Sequence, residues 1–309
     1  MKIILIISAV TLGLLGGLEI SLRLIVGFGN PLTYIADDKI GYLLRPNQNV
    51  SRFGNRIKIN EYSMRSASIK QLTDNSNLRI FLLGDSVANG CWWTDQDDTI
   101  SEIIQRYLSE KLGDNKNVEV LNASANSWGP RNELAYLEKF GLFDARVIVL
   151  LINTDDLFAK SPSSLVVGRD RNYPDKKPPS AIAEVISRYF FSAPKVPEIQ
   201  EDGDRVGLNL EAIKKIQEIA NQNNSKLILA MTPLLREVGE PGSRDYEVKT
   251  RQRLEEFTKA ENILYLDFLP IFKSVSESAS LYRDHIHLSP EGNQVVSENI
   301  SIFLIKNYN

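Results

Sequence analysis

Five short apolar runs punctuate the chain: LRIFLLG (78–84), VEVLN (118–122), RVIVLLI (146–152), KLILAMTP (226–233) and NILYLDF (262–268). They are nearly continuous rather than alternating, rich in branched residues, and mostly bounded by glycine, asparagine or proline. That pattern predicts strands covered on both faces. Helical periods lie between them. TISEIIQRYLSEKLG (99–113) sets Ile100, Ile103, Ile104, Tyr107, Leu108 and Leu112 at helical spacing and stops at Gly113. NELAYLEKFG (132–141), LEAIKKIQEIANQ (210–222) and YEVKTRQRLEEFTKA (246–260) read the same way, and a Ser-Pro-Glu start opens a last helix over 289–307. The alternation predicts an α/β protein with a parallel sheet between helices, and such sheets bind ligands at the carboxyl ends of their strands.

Three stretches break this rhythm. MKIILIISAVTLGLLGG and the following LEISLRLIVGFG form an apolar segment over residues 1–29 behind Lys2, with Glu19 and Arg23 four apart and able to pair. It has the length of a membrane-spanning helix. A cleaved signal peptide is the rival, but no small-x-small cleavage site is visible, and no cysteine follows to carry a lipid. The reading is therefore a single-pass signal anchor, with Lys2 on the cytoplasmic side and the remainder outside. Residues 30–77, with Pro31, Pro46 and many Asn, Gly and Ser, read as a linker and irregular lead-in, with one short strand in RIKINEYSMRS. Residues 160–206 hold six prolines among charges and read as an insertion or lid in a domain spanning 78–309, with a helix in AIAEVISRYF.

Composition narrows the chemistry. The net charge of −3 offers no basic field for nucleic acid. Cys91 is the single cysteine, so no intrachain disulfide exists, and with only His285 and His287 no Cys/His metal set is expected; the Asp155/Asp156 pair has no partner cluster. No metal or cofactor is expected. Any reaction needing an imidazole must use one of two neighbouring histidines.

Against that background FLLGDSVANG (81–90) stands out. It places Ser86 just past the first core strand. A serine hydroxyl is un-ionised at neutral pH and needs an adjacent base to act as a nucleophile. RDHIHLSPEG supplies Asp284 and His287 three residues apart, so one turn can carry both, with Asp284 on Nδ1 and Nε2 free to face Ser86. The alternative is that Ser86 caps the next helix. Cys91 reads as buried and inert, and His285 as a neighbour. Trp92, Trp93 and Trp128 read as pocket lining or, more commonly for large aromatics, as core.

Gly84-Asp85-Ser86 with Asp284-x-x-His287-Leu-x-Pro-x-Gly ahead of a terminal helix resembles the first and last signature blocks of the SGNH/GDSL hydrolase superfamily, over residues 78–300. The resemblance implies a three-layer α/β/α fold with a flavodoxin-like five-stranded sheet, and serine-dependent ester hydrolysis with Ser86, His287 and Asp284 as catalytic residues. It also implies an oxyanion hole built from the Ser86 N–H, a second-block N–H and a third-block asparagine. LNASANSWGP (121–130) puts Ser127 where the family has glycine, with Gly129 two later. INTDDL (152–157) offers Asn153, with Thr154 or Asp155 as alternatives for the same position. The expected substrate is an ester, on an acylated glycan such as envelope polysaccharide or on a lipid. Acyl transfer by the same triad, or a weakened site in an envelope binding or assembly protein, are the competing readings.

Overall fold

The computed structural model describes residues 1–69, 78–113 and 117–308. Its elements run in order as α1 (Lys2–Ser21, continued by a π-helical turn Leu22–Val26), β1 (Tyr34–Asp37), β2 (Gly41–Leu44), β3 (Gln48–Arg52), β4 (Asn55–Ile59), β5 (Leu78–Gly84), α2 (Ser86–Asn89), α3 (Ile100–Leu112), β6 (Val118–Ser124), α4 (Pro130–Phe140) and β7 (Val147–Asn153). Then follow α5 (Ala181–Tyr189), α6 (Arg205–Gln222), β8 (Lys226–Thr232), α7 (Leu235–Val238), α8 (Asp245–Ala260), β9 (Leu264–Asp267), α9 (Phe268–Ser274) and α10 (Pro290–Tyr308).

Strands β5 to β9 form one parallel sheet in the order β6-β5-β7-β8-β9. Numbered by appearance this is 2-1-3-4-5, the flavodoxin-like arrangement. The five apolar runs are these five strands. Strand β7 shows why the runs are continuous: Ile148, Leu150 and Ile152 pack into one core, while Val147, Val149 and Leu151 pack into the other. Helices α4, α6 and α8 contribute to the first core, and α3, α9 and α10 to the second. Truncating a fully buried strand residue such as Leu150 to alanine costs about 2–5 kcal/mol in such a setting.

The lead-in carries more order than the one short strand expected. β1–β2 and β3–β4 are antiparallel hairpins, and Tyr42, Leu43, Val50, Ile57 and Ile59 join the first core. Strand β3 alternates buried and exposed positions, and Phe53-Gly54 makes the turn with both residues at positive φ. The period of two lies in the burial and not in the residue types, because the buried positions of β3 are Gln48, Val50 and Arg52.

The apolar N-terminal run is a helix of 25 residues, Lys2–Val26, with mean hydropathy 2.3 and no residue of its apolar window buried. It is long and apolar enough to cross a membrane. Its far end is fastened to the body. Glu19 pairs with Arg23 and accepts the N–H groups of Ala181 and Ile182, satisfying the open amino end of α5.

Candidate active site

The site sits at the carboxyl end of β5, at the switch point where β6 and β7 leave on opposite sides. A close approach shapes the turn there. A Cβ on Gly84 would lie 2.6 Å from the Leu151 carbonyl oxygen and 2.8 Å from the Ala88 Cβ, so only glycine fits. Asp85 then caps α2, its carboxylate accepting the Val87 N–H at 2.8 Å. The capping position belongs to Asp85, which leaves the Ser86 hydroxyl free of that role.

The opposite wall is the loop before α10. Its ends are drawn together by a bridge between Tyr282 and Leu288 and by the Arg283 N–H donating to the His287 carbonyl. Asp284 Oδ1 accepts the N–H groups of Ile286 and His287, and Oδ2 lies 2.8 Å from His287 Nδ1. With Nδ1–H donated to Asp284, Nε2 is an acceptor, and it lies 2.9 Å from Ser86 Oγ. Ser86, His287 and Asp284 thus form one line of contacts although Ser86 and His287 are 201 residues apart. Trp93 meets the His287 ring edge to face at 4.8 Å and bears on its orientation. His285 is exposed, on the far side of Asp284.

The two aspartates of the site differ electrostatically. Burial raises the Asp284 carboxyl, but the His287 and Ile286 N–H groups and the His287 side chain outweigh it and hold the group below its ordinary value. Burial dominates at Asp85 and raises it, although the Val87 N–H, His287 and the Ser86 hydroxyl pull the other way. Behind Asp85 lies more buried acid. Asp156 is raised well above the ordinary range by burial, with Asp85 and Glu133 adding to it. Glu133 is raised well above it by burial, and neither of its oxygens has a hydrogen-bond partner among the described residues.

Asn153 joins this buried group. Its Nδ2 donates to Asp85 Oδ2 at 2.8 Å and to Asp156 Oδ2 at 2.9 Å, and its Oδ1 accepts the Asp155 N–H. Both amide protons are committed, and Asn153 is absent from the cavity lining among the described residues. Ser86 Oγ lies 3.2 Å from the same Asp85 Oδ2, so the amide and the hydroxyl share one acceptor, and both amide protons are engaged by carboxylates. Thr154, the alternative at that position, does not line the cavity, and its hydroxyl bonds Glu237 and Arg251. Ser127 does line the cavity with Ser86 and His287, and it adopts a left-handed φ of 58°. That is the conformation in which glycine is least strained. The Tyr173 hydroxyl donates to Ser127 Oγ at 2.9 Å and so helps to hold it.

The cavity at these contacts measures about 420 Å³. Trp92 and Trp93 line it; Trp128 is core, its indole N–H donating to the Tyr42 carbonyl. Cys91 lies in the wall, buried, its thiol pushed up by burial. Tyr34, Val50, Arg52, Phe53 and Ile57 supply wall from the lead-in, and Asn172, Tyr173, Arg188 and Tyr189 supply it from the 160–206 segment. Sequence reasoning missed these wall residues. Tyr173 was the most accessible of them, an aromatic within a proline-rich stretch. No cluster of metal-ligating side chains occurs among the described residues.

The same fold occurs in solved structures. A catalytic mutant of Axe2, an acetylxylan esterase from Geobacillus stearothermophilus, is 12% identical with a TM-score of 0.50, over 74% of this chain and 94% of that one. A member of the lipolytic protein G-D-S-L family from Veillonella parvula is 13% identical with a TM-score of 0.46, over 75% and 98%. The lipase/acylhydrolase from Enterococcus faecalis is 14% identical, also with a TM-score of 0.46, over 74% and 95%. No curated protein matches the chain. The profile of the GDSL-like lipase/acylhydrolase family, however, matches residues 82–295, which contain both Gly84-Asp85-Ser86 and the Asp284–His287 turn. With that match over most of its length, the chain belongs to the GDSL-like lipase/acylhydrolase family and is an ester hydrolase.

Proposed function

We propose that Ser86 is the nucleophile, His287 the general base and Asp284 the residue that fixes the His287 tautomer. The observation that carries this reading is the pair of short contacts, 2.9 Å from Ser86 Oγ to Nε2 and 2.8 Å from Nδ1 to Asp284. Ser86 Oγ attacks the ester carbonyl carbon as its proton passes to Nε2. The carbonyl oxygen becomes an oxyanion facing the backbone N–H groups of Ser86 and Ser127. Collapse breaks the bond to the leaving alcohol, which takes the proton from Nε2. Water repeats the sequence on the acyl-enzyme, giving a proton to His287 as it attacks; collapse releases the carboxylic acid, and Ser86 Oγ takes that proton back from Nε2. In this reading Asn153 works indirectly, holding Asp85 and through it the turn that presents Ser86.

We also infer that Lys2–Val26 anchors the chain across a membrane once, with the hydrolase body on the extracytoplasmic side. The length, the hydropathy and the lack of burial of that helix support it, as does Lys2 at its start. The substrate in this reading is an acyl ester of the envelope, on a glycan or a lipid, and the mixed lining of the cavity suits an ester. Labelling by a serine-directed fluorophosphonate tests the reading: stoichiometric modification at Ser86 is expected. An unlabelled Ser86 in folded protein overturns it.

A further inference from the structure

An unbroken chain of aromatic rings runs from the end of the N-terminal helix to the relay. Phe28 follows that helix by two residues. Its ring meets Tyr189 at 6.5 Å and Phe53 at 6.0 Å, Phe53 meets Trp92 at 5.0 Å, Trp92 meets Trp93 at 5.3 Å, and Trp93 meets His287. All six rings line the one cavity. The cavity therefore extends from Ser86 to the foot of the apolar helix.

That foot is ringed by exposed apolar side chains. Leu24 and Ile25 are 81% and 73% exposed, and Tyr189, Phe190 and Phe191 are 68%, 77% and 66% exposed. Phe53, at the tip of the β3–β4 hairpin, is half exposed, and its N–H donates to the Val26 carbonyl. These residues come from three separate segments, yet they are tied to one place by the Phe53–Val26 bond and by the Phe28–Tyr189 ring contact. At a membrane–water boundary Tyr and Trp rings sit at the level of the lipid headgroups, and Phe and Leu side chains bury at the headgroup–acyl boundary just below. From Lys2 to Glu19 the helix rises about 26 Å, close to the hydrocarbon thickness, which sets Leu24, Ile25 and the aromatic rim at that level.

Resting on the anchored reading above, we propose that the mouth of the cavity is seated on the bilayer surface and that the ester is taken from an amphiphile held in the membrane rather than from bulk solution. The occupant of the exposed rim is the lipid interface. The argument for it is continuity, because the rim begins where the membrane-length helix ends.

The test uses the full chain in phosphatidylcholine vesicles brominated near the headgroup end of the acyl chains. Trp92, 40% exposed in the rim, is the probe. Bromine quenching is expected in the wild type, with most of the quenchable emission lost in Trp92→Phe. Equal quenching in both proteins overturns the proposal. A second arm compares kcat/KM on a water-soluble short-chain ester and on a long-chain diacyl ester dissolved in the vesicles. Phe190 and Phe191 lie outside the cavity lining. The double variant Phe190→Ser, Phe191→Ser is expected to lose about tenfold on the vesicle ester, as the loss of buried aromatic area predicts, and to stay within about twofold on the soluble one. Any other pattern in a wild type that hydrolyses either ester overturns the proposal. If the wild type hydrolyses neither ester, the esterase reading fails and the quenching arm alone decides the seating of the mouth. A chain that washes off the vesicles defeats the anchored reading and this proposal together.

Discussion

Two acidic regions flank Ser86, and they are built in opposite ways. On the loop side, Asp284 is partly exposed and meets three donors, two backbone N–H groups and the His287 ring. On the interior side, Asp85, Asp156 and Glu133 are buried together, and the Asn153 amide serves two of them while Glu133 has no partner among the described residues. The same functional group is held ionised in one place and pushed toward neutrality in the other, because donors outweigh burial on the loop and burial outweighs donors inside. A carboxylate that must support an imidazolium needs the first arrangement. A set of acids enclosed behind a strand end can exist only in the second.

The comparison can be broken most forcefully at the relay. Ser86→Ala or His287→Ala is expected to cut kcat for a soluble ester by about a thousandfold or more while circular dichroism stays unchanged. Asp284→Asn, which keeps the shape and removes the charge, is expected to cost about a hundredfold to ten-thousandfold in kcat with little change in KM. A variant as active as the wild type would mean that the loop carboxylate has no part in the reaction. Because the Asp284 value is lowered, its contribution to stability is present above the unfolded value near about 3.9 and is lost only as pH falls through the folded one. Activity lost on acidification above about pH 4 should therefore not follow Asp284, and that limb of the kcat/KM profile should survive a conservative change there.

The interior region has the opposite sign. Glu133 is raised in the folded chain, so folding holds a proton that the unfolded chain releases near about pH 4.3, and stability falls as pH rises toward the folded value. Glu133→Gln removes this penalty. Its melting temperature should exceed that of the wild type by about 2 °C or more at pH 8, with the gap closing toward pH 4. A gap that does not depend on pH would mean that Glu133 is neutralised by a partner in solution. The smallest effect is expected at Ser127→Gly, where relief of the left-handed serine and loss of its bond to Tyr173 nearly cancel, within about 1 kcal/mol by denaturant titration. Activity retained within a few fold would agree with a backbone rather than a side-chain role for position 127.

What was readable in the chain follows from how each part is stabilised. Buried parallel strands leave continuous apolar runs, so all five sheet strands stood out, and the rim they create follows from their order. The Asp284–His287 contact is local chemistry on a short turn, visible as spacing, whereas Ser86 meets His287 across 201 residues and was legible only because both were expected at the same strand-end rim. The hairpins of residues 34–59 were less visible, because each strand is four or five residues long and lies among turn-forming residues. The direction of the Asn153 amide was not readable at all. It is set by Asp85, 68 residues away, and by Asp156, and no periodicity encodes a choice between acceptors. The cavity wall from Tyr173 belongs to the same class, as its position depends on packing against Tyr34 and Tyr42.

The carboxylate of Glu19 on the start of α5 makes the N-terminal helix a rigid mount instead of a loose tether. Arg188 and Tyr189, at the other end of α5, belong to the cavity wall. In the anchored reading proposed above, a tilt of the long helix is passed on to the cavity wall, and the thickness of the surrounding layer becomes a setting of the enzyme.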